Sequence, residues 1–332
     1  MKEGGEKMRV SRDALENQQI WIYVVALLVG GLIGMGNESF GSRLEILISP
    51  FIAILMYSMF TQIPFLTLKK TIHNSRFMIA LLVGNFLIVP IVVWGLLLLF
   101  PQTPAVLIGV CLVLLTPCID YVIVFTQLGK GDAKLILTAT PILLIVQLLL
   151  LPVYLWMFAG EGISEIVQMG PFVEAFLFLI LLPLLLAIAT QLSAKKQSIG
   201  KQLFEAAGWL SVPFMALVLI FVVASQIAKV YHDFDVIVGV IPIYILFLIV
   251  MPIMARLLVS LFKLDTGAGR ALIFSTGTRN SLVVLPLAFA LPDSIATLAA
   301  AVIVTQTIIE LAGELIYIKI VPAYIVKDRL DN

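Results

Sequence analysis

The sequence predicts an all-α membrane protein of ten transmembrane helices, built as two inverted five-helix repeats whose fourth and ninth helices are broken. Three observations lead there. First, the 332 residues are 61% hydrophobic and only 12% charged, with a mean hydropathy of +1.12, whereas soluble domains run about 45–50% apolar and about 25% charged. Surface grows too fast with volume for a soluble core to bury that much apolar side chain, which sets aside soluble enzymes, nucleic-acid binders and secreted disulfide scaffolds. Second, long apolar runs alternate with short connections whose basic residues fall on one side. Third, matching spans of the two halves are interrupted by polar residues.

A transmembrane helix needs roughly 20 mostly apolar residues. Such runs lie at 18–36, 44–68, 77–100, 104–128, 134–158, 171–192, 206–228, 236–262, 269–291 and 294–320. They are continuous rather than alternating, which reads as helix and not as barrel strand. Residues 1–17 are polar, without a cleavage pattern after an apolar segment, and read as a cytoplasmic N-terminal segment. Basic residues then punctuate every second connection. Lys2, Lys7, Arg9 and Arg12 precede the first span, Lys69, Lys70 and Arg76 the third, and Lys130 and Lys134 the fifth. Lys195, Lys196 and Lys201 precede the seventh, Arg256, Lys263 and Arg270 the ninth, and Lys319, Lys327 and Arg329 mark the end of the tenth and the tail at 321–332. Eighteen of the 21 Lys and Arg thus share one side, only Arg43 and Lys229 face the other, and Arg279 lies inside a span. This asymmetry puts both termini in the cytoplasm and predicts a multi-pass protein of the plasma (inner, cytoplasmic) membrane.

With both ends inside, residues 18–158 and 171–320 form two five-helix repeats of opposite topology, the arrangement of many secondary transporters. The fourth span is interrupted at Thr116-Pro117-Cys118-Ile119-Asp120 and the ninth at Ser275-Thr276-Gly277-Thr278-Arg279-Asn280-Ser281. Each is the penultimate span of its half, and a short loop ending in an acid, Asp132 or Asp293, follows each. Proline removes a backbone donor and Gly and Thr loosen the ladder, so both stretches are expected to unwind. Unwound backbone survives at membrane depth only where protein or water satisfies it, and half-helix ends there can hold a ligand near the bilayer midplane.

Four ionisable groups lie deep in spans: Asp120, Arg279, Glu310 and Glu314. Each costs about 2.5–3.5 kcal/mol to insert, so each needs a partner or a purpose. If the broken spans cross, Asp120 and Arg279 can pair, either as a fixed register pin or as a pair that substrate or proton rearranges. Gln306, Glu310 and Glu314 share one helical face. Glu310, mid-span, reads as the best proton-carrier candidate, and Glu314, nearer the cytoplasmic end, either as a water-exposed or snorkelling group or as a functional one. Gln147 holds in the fifth span the place of Gln306 in the tenth. Cys118, inside the break, is either a soft nucleophile for a soft substrate or a small buried residue. Cys111 and Cys118 stand about 10.5 Å apart along one helix, too far for a disulfide, and two thiols make no metal site. Gly129-Lys130-Gly131-Asp132 has the form of an intramembrane aspartyl protease motif, but its nearest acid, Asp120, is about 18 Å away on the preceding helix. Gly267-Ala268-Gly269 lacks a preceding strand and a P-loop Lys, so no nucleotide or other cofactor is indicated. His73 and His232 fall in connections. Transport must draw on a proton or sodium gradient or on a partner ATPase.

These residues are similar to a known family. Pro117-Cys118-Ile119-Asp120-Tyr121-Val122-Ile123-Val124-Phe125, running on to Leu128-Gly129-Lys130-Gly131-Asp132, resembles the fourth-span signature of the bile acid:sodium symporter superfamily, and Gly277-Thr278-Arg279-Asn280-Ser281 resembles its ninth-span Gly-x-Gln-Asn-Ser. Within it, Cys118-Ile119 with the later Lys130-Gly131-Asp132, and Thr305-Gln306 with Glu310, resemble the ACR-type arsenite permeases. The resemblance implies a panel and a core domain with the fourth and ninth helices crossing in the core. It also implies that Cys118 is the thiol on which trivalent arsenicals depend and that Glu310 is the branch's tenth-span carboxylate.

The departures matter as much. Pro117 stands where arsenite permeases usually carry Arg, and Arg279-Asn280-Ser281-Leu282 has no carboxylate where they carry Asn-Asn-Phe-Glu. Sodium symporters flank the ninth-span Gly with Glu and Gln; Ser275 and the fixed cation Arg279 occupy those places. The expectation is a non-enzymatic secondary transporter working by alternating access, with proton-coupled efflux of arsenite or antimonite. Substrate would meet Thr116, Pro117, Cys118, Arg279, Asn280 and Ser281, with Cys118 a candidate arsenic(III) ligand. Coupling would fall to Glu310, Asp120 and Gln306. The alternative is a sodium- or proton-coupled carrier of a small organic anion, with Arg279 as its counter-charge.

Overall fold

The computed structural model describes residues 12–65, 75–164, 169–230 and 234–328. The basic residues Lys69 and Lys70, the histidines His73 and His232, and both chain ends lie outside the described residues. Within them the secondary structure is helical throughout: α1 Arg12–Gly36, a short α2 Glu38–Arg43, α3 Glu45–Gln62, α4 Ser75–Leu99, α5 Pro104–Leu114, α6 Val122–Leu128 and α7 Ala133–Ser164. Then come α8 at 169–194, α9 Ser198–Val230, α10 Phe234–Leu261, α11 Thr266–Gly277, α12 Ser281–Phe289 and α13 Asp293–Ile320. Seven of these (α3, α4, α7, α8, α9, α10 and α13) contain stretches long and apolar enough to cross a membrane, and Trp21–Gly36 of α1 and α5 are shorter apolar helices. Large apolar side chains such as Trp21, Leu32, Trp94, Trp156, Leu186, Ile253 and Leu261 face outward. An exposed apolar surface of this extent suits lipid and not water.

Apolar runs end where charges begin, but the helices do not always stop there. α9 starts at Ser198, two turns before the apolar run, and Lys201 and Glu205 at i, i+4 lie 3.9 Å apart on its exposed surface. α7 likewise runs on to Ser164.

Prolines inside these helices leave carbonyls short of their N–H partner four residues later. Two tyrosines answer this. Pro90 offers no N–H to the carbonyl of Phe86, and the Tyr154 hydroxyl of α7 donates to that oxygen at 2.6 Å. Pro252 offers none to Leu248, whose carbonyl accepts from the Tyr317 hydroxyl of α13. In hydrocarbon no water can take this role. Tyr154→Phe is expected to cost about 1–3 kcal/mol, read as a lowered thermal midpoint of the purified protein in detergent. In a Pro90→Ala background, where an N–H is supplied, the same change should cost less.

The helices pack as two groups. α9 packs against α1, α3 and α8, and α3 against α8, while α4 to α7 pack with α10 to α13. The groups meet where α9 touches α13 and where α12 touches α3 and α8. The broken pairs α5/α6 and α11/α12 both belong to the second group, at its centre. The turn after α6 seats them. Lys130 adopts a left-handed φ of 57°, and a Cβ at Gly129 would come within 2.2 Å of the Phe274 ring on α11. Asp132 then accepts from the N–H groups of Lys134 and Leu135, starting α7. The Gly129–Asp132 motif is therefore a packing turn against α11.

Candidate functional site

Two interrupted helices meet backbone to backbone. After α5 ends at Leu114 the chain is non-helical through Tyr121, and between α11 and α12 only Thr278, Arg279 and Asn280 leave the helix. The second break is narrower than the sequence suggests, because Ser275, Thr276 and Gly277 stay helical, with the Thr276 hydroxyl donating to the Leu272 carbonyl one turn back. Pro117 and Arg279 face each other as an antiparallel bridge. Cys118 N–H donates to the Thr278 carbonyl at 3.1 Å, and Asn280 N–H to the Thr116 carbonyl at 2.9 Å. Each break thus satisfies the other's exposed backbone, as irregular chain at membrane depth requires. Asn280 also caps α12, its side-chain oxygen accepting from Val283 N–H.

Side chains on the second break alternate in direction, as in a strand. Arg279 turns toward α4. It is wholly buried, donating through Nη2 to Asn85 Oδ1 at 2.8 Å and to the Ser275 carbonyl at 2.7 Å, with Nη1 3.4 Å from the Leu114 carbonyl. The face of Phe247 on α10 lies 5.6 Å from its guanidinium carbon, a cation–π distance. Its Nε has no partner. The expected Asp120–Arg279 pair is therefore not formed. The bridge sends Arg279 toward α4, while Asp120, half-buried, lines a small cavity of about 60 Å³ against Met59, Gln62 and Ile63 of the other helix group.

Thr278 and the break's backbone turn the other way, toward α13. Glu310 Oε2 accepts from Arg279 N–H at 2.7 Å and from Gln306 Nε2 at 2.5 Å. Its Oε1 lies 2.8 Å from the Tyr121 hydroxyl, which is also 3.1 Å from the Arg279 carbonyl. One turn on, Glu314 is fully buried and not water-exposed as the sequence suggests: Oε1 lies 2.8 Å from the Thr278 hydroxyl, and Oε2 has no partner. Glu310, Gln306 and Glu314 do share the inward face of α13; Arg279 meets Glu310 through its backbone N–H, while its guanidinium bonds to neither carboxylate.

The remaining sequence candidates fall around the bridge with uneven involvement. Cys118 is buried at the crossing, within electrostatic reach of Glu310 and Asp120. The Thr116 hydroxyl is spent on the Leu112 carbonyl, so its main chain, not its side chain, serves the site. Ser281 pairs with Thr307 at 2.7 Å. Asn280 Nδ2 and Gln306 Oε1 are buried without partners at the crossing, where a polar ligand has something to bind, and both amide atoms of Gln147 on α7 are likewise buried and unpartnered. Sequence reasoning missed Asn85, Tyr121 and Ser275 as partners. Asn85 was discoverable as a lone amide inside an apolar run. It also missed Arg270, counted as a topology charge, which is buried and donates to the carbonyls of Lys130 and Val326 and to Asp328 at 2.8 Å.

Such a crossing of two unwound helices, lined by polar and charged groups in an apolar bundle, is the architecture of a secondary transporter's binding centre. Comparison with known proteins agrees at the level of family. None of the curated proteins matches the chain. The sodium bile acid symporter family matches residues 49–234, more than half of the chain, from α3 through the first break to the end of α9. The protein is accordingly a multi-pass membrane transporter and belongs to the sodium bile acid symporter family.

Proposed function

We propose that this chain exports trivalent arsenic or antimony hydroxide in exchange for protons, by alternating access of one helix group against the other. Ten crossings would be completed by adding α1 and the two broken pairs to the seven long spans. Residues 18–158 and 171–320 would be the inverted repeats, α1, α3, α8 and α9 the panel and the second group the core. The one-sided Lys and Arg placement supports cytoplasmic termini in a plasma membrane. The observation that carries the substrate reading is Cys118, a thiol set into the crossing beside a buried carboxyl. Soft thiolate suits a soft metalloid centre. Asn280, Ser281, Arg279 and the backbone at Thr116 and Pro117 would surround its hydroxyls.

Proton rather than sodium coupling is supported by Arg279. Unwound carbonyls in transporters of this kind commonly hold a sodium ion, and here the guanidinium already occupies the neutral oxygens of Asn85, Ser275 and Leu114. Glu310, aided by Gln306 and with Asp120 at the interface between the groups, would carry the proton. A second reading, sodium-coupled movement of a small organic anion, is favoured by the family and by the unpartnered Nε of Arg279.

One experiment separates the two. Everted vesicles containing the protein are expected to accumulate arsenite when a pH gradient is imposed, at the same rate in sodium or choline medium. Uptake of an organic anion that requires sodium, with no arsenite flux, would replace the first reading with the second.

A further inference from the structure

We propose that Tyr121 is a positioning residue that latches the two broken helices together whenever Glu310 carries a proton. This rests on the assignment of Glu310 as proton carrier and deepens it, by giving the route through which a proton on α13 is felt at the crossing. The geometry constrains the hydrogens closely. The Tyr121 hydroxyl has one proton to donate and two oxygens within reach: Glu310 Oε1 at 2.8 Å, and the carbonyl of Arg279, which can only accept, at 3.1 Å. Glu310 Oε2 is already the acceptor of two N–H groups, Arg279 N and Gln306 Nε2. A proton bound by Glu310 therefore sits on Oε1, facing Tyr121.

Two arrangements follow. With Glu310 ionised, Tyr121 donates to Oε1 and the Arg279 carbonyl loses its side-chain donor. With Glu310 protonated, Oε1–H donates to the Tyr121 oxygen, and the tyrosine proton is turned onto the Arg279 carbonyl. The hydroxyl then ties the end of the first break to the backbone of the second. The latch closes on protonation and opens on release. Tyr121 is buried and its ring packs edge-on to Phe125 at 5.9 Å, so the ring stays fixed while the hydrogen changes partner. Among the described residues, the charged and titratable groups facing Glu310 are Tyr121 and Cys118 from the first break, Arg279 from the second, and Glu314 and Tyr317 from its own helix. Of these, the Tyr121 hydroxyl alone bonds to both Glu310 and the second break's main chain.

Glu310→Gln offers a permanent copy of the protonated state. The two N–H donors at the Oε2 position require the amide oxygen there, which leaves the NH₂ group facing the Tyr121 oxygen. Tyr121 must then donate to Arg279. The test needs no substrate: the rate of Cys118 alkylation by a small maleimide, at one fixed pH, in purified full-length protein with Cys111 replaced by serine. Four versions are compared: this parent, Tyr121→Phe, Glu310→Gln and the double variant. Glu310→Gln is expected to change the rate by roughly two- to tenfold, the worth of one hydrogen bond, and Tyr121→Phe to abolish that change in the double variant. Any direct electrostatic effect of residue 310 on the thiol is common to both backgrounds and cancels in the cycle. An equal effect of Glu310→Gln with and without the tyrosine hydroxyl would overturn the latch, as would no effect in either background. Thermal midpoints of the four proteins exclude unfolding as the cause. Because arsenite is absent throughout, failure of the latch and failure of arsenite export are separate results: the first appears in these rates, the second in vesicle flux.

Discussion

Cys118→Ser is expected to reduce arsenite transport by at least roughly 100-fold, beyond the 10–100-fold that loss of a mere outer-shell partner costs a metal site. Binding would proceed by exchange at arsenic. An As–S bond forms to Cys118, one As–O bond breaks, and the thiol proton leaves with that hydroxyl as water. Serine keeps the volume and polarity of the site but offers a hard oxygen, no better than the hydroxyls the substrate already holds. The loss should appear as failed resistance in an arsenite-sensitive host and as absent flux in vesicles, with normal protein levels. Cys111 supplies the control. It is buried on α5 one helical stretch earlier, without a place at the crossing, so Cys111→Ser should retain transport. Full resistance in the Cys118→Ser protein, or equal loss from either substitution, would remove the basis for a metalloid substrate and shift weight to the organic anion.

The parts of the fold that follow from water avoidance were legible in the sequence. Apolar runs forecast α4, α8, α10 and α13 to within about two residues at each end and the middles of α3, α7 and α9, and the two polar interruptions forecast where helices break. That Thr116–Cys118 and Thr278–Asn280 meet was an expectation from pairing the breaks, and the backbone bridge makes the contact explicit. What the sequence could not supply was the direction of each side chain across that bridge. In extended chain a slip of one residue reverses every side chain, and the register depends on two backbone hydrogen bonds that no composition encodes. Asp120 and Arg279, opposite in charge and both near the crossing, therefore looked like a pair. The register instead sends Arg279 to Asn85. Glu314 misled for a related reason. Its position within two turns of the end of α13 suggests water, yet Thr278 turns its hydroxyl toward α13 and encloses the carboxyl. Arg270 shows the converse: a basic residue counted for topology is a buried clamp on Val326 and Asp328, beyond α13.

Arg279→Leu is expected to be the most damaging single change to stability in the second helix group, at about 3–5 kcal/mol, the range for removing one member of a buried charged network. The leucine fills part of the volume but supplies no donors. Asn85 Oδ1 loses the guanidinium bond, the Ser275 carbonyl loses its side-chain partner, and the Phe247 face loses its cation. Glu310 and Glu314 keep their places on α13, now without the buried guanidinium charge near them. Charge alone should not repair this. A lysine ammonium carries the same charge but lacks the planar fork that reaches Asn85 and Ser275 through one nitrogen and Leu114 through the other, so Arg279→Lys should recover only part of the loss. Removing positive and negative charge together tests the electrostatic share. If balance between Arg279 and Glu310 matters, Arg279→Gln and Glu310→Gln combined should be less destabilising than the sum of the two. Thermal midpoints of the five variants and the wild type in detergent decide it. An Arg279→Leu protein as stable as the wild type would mean that the guanidinium is held in place for transport alone, and that the crossing stands on its backbone bridge without it.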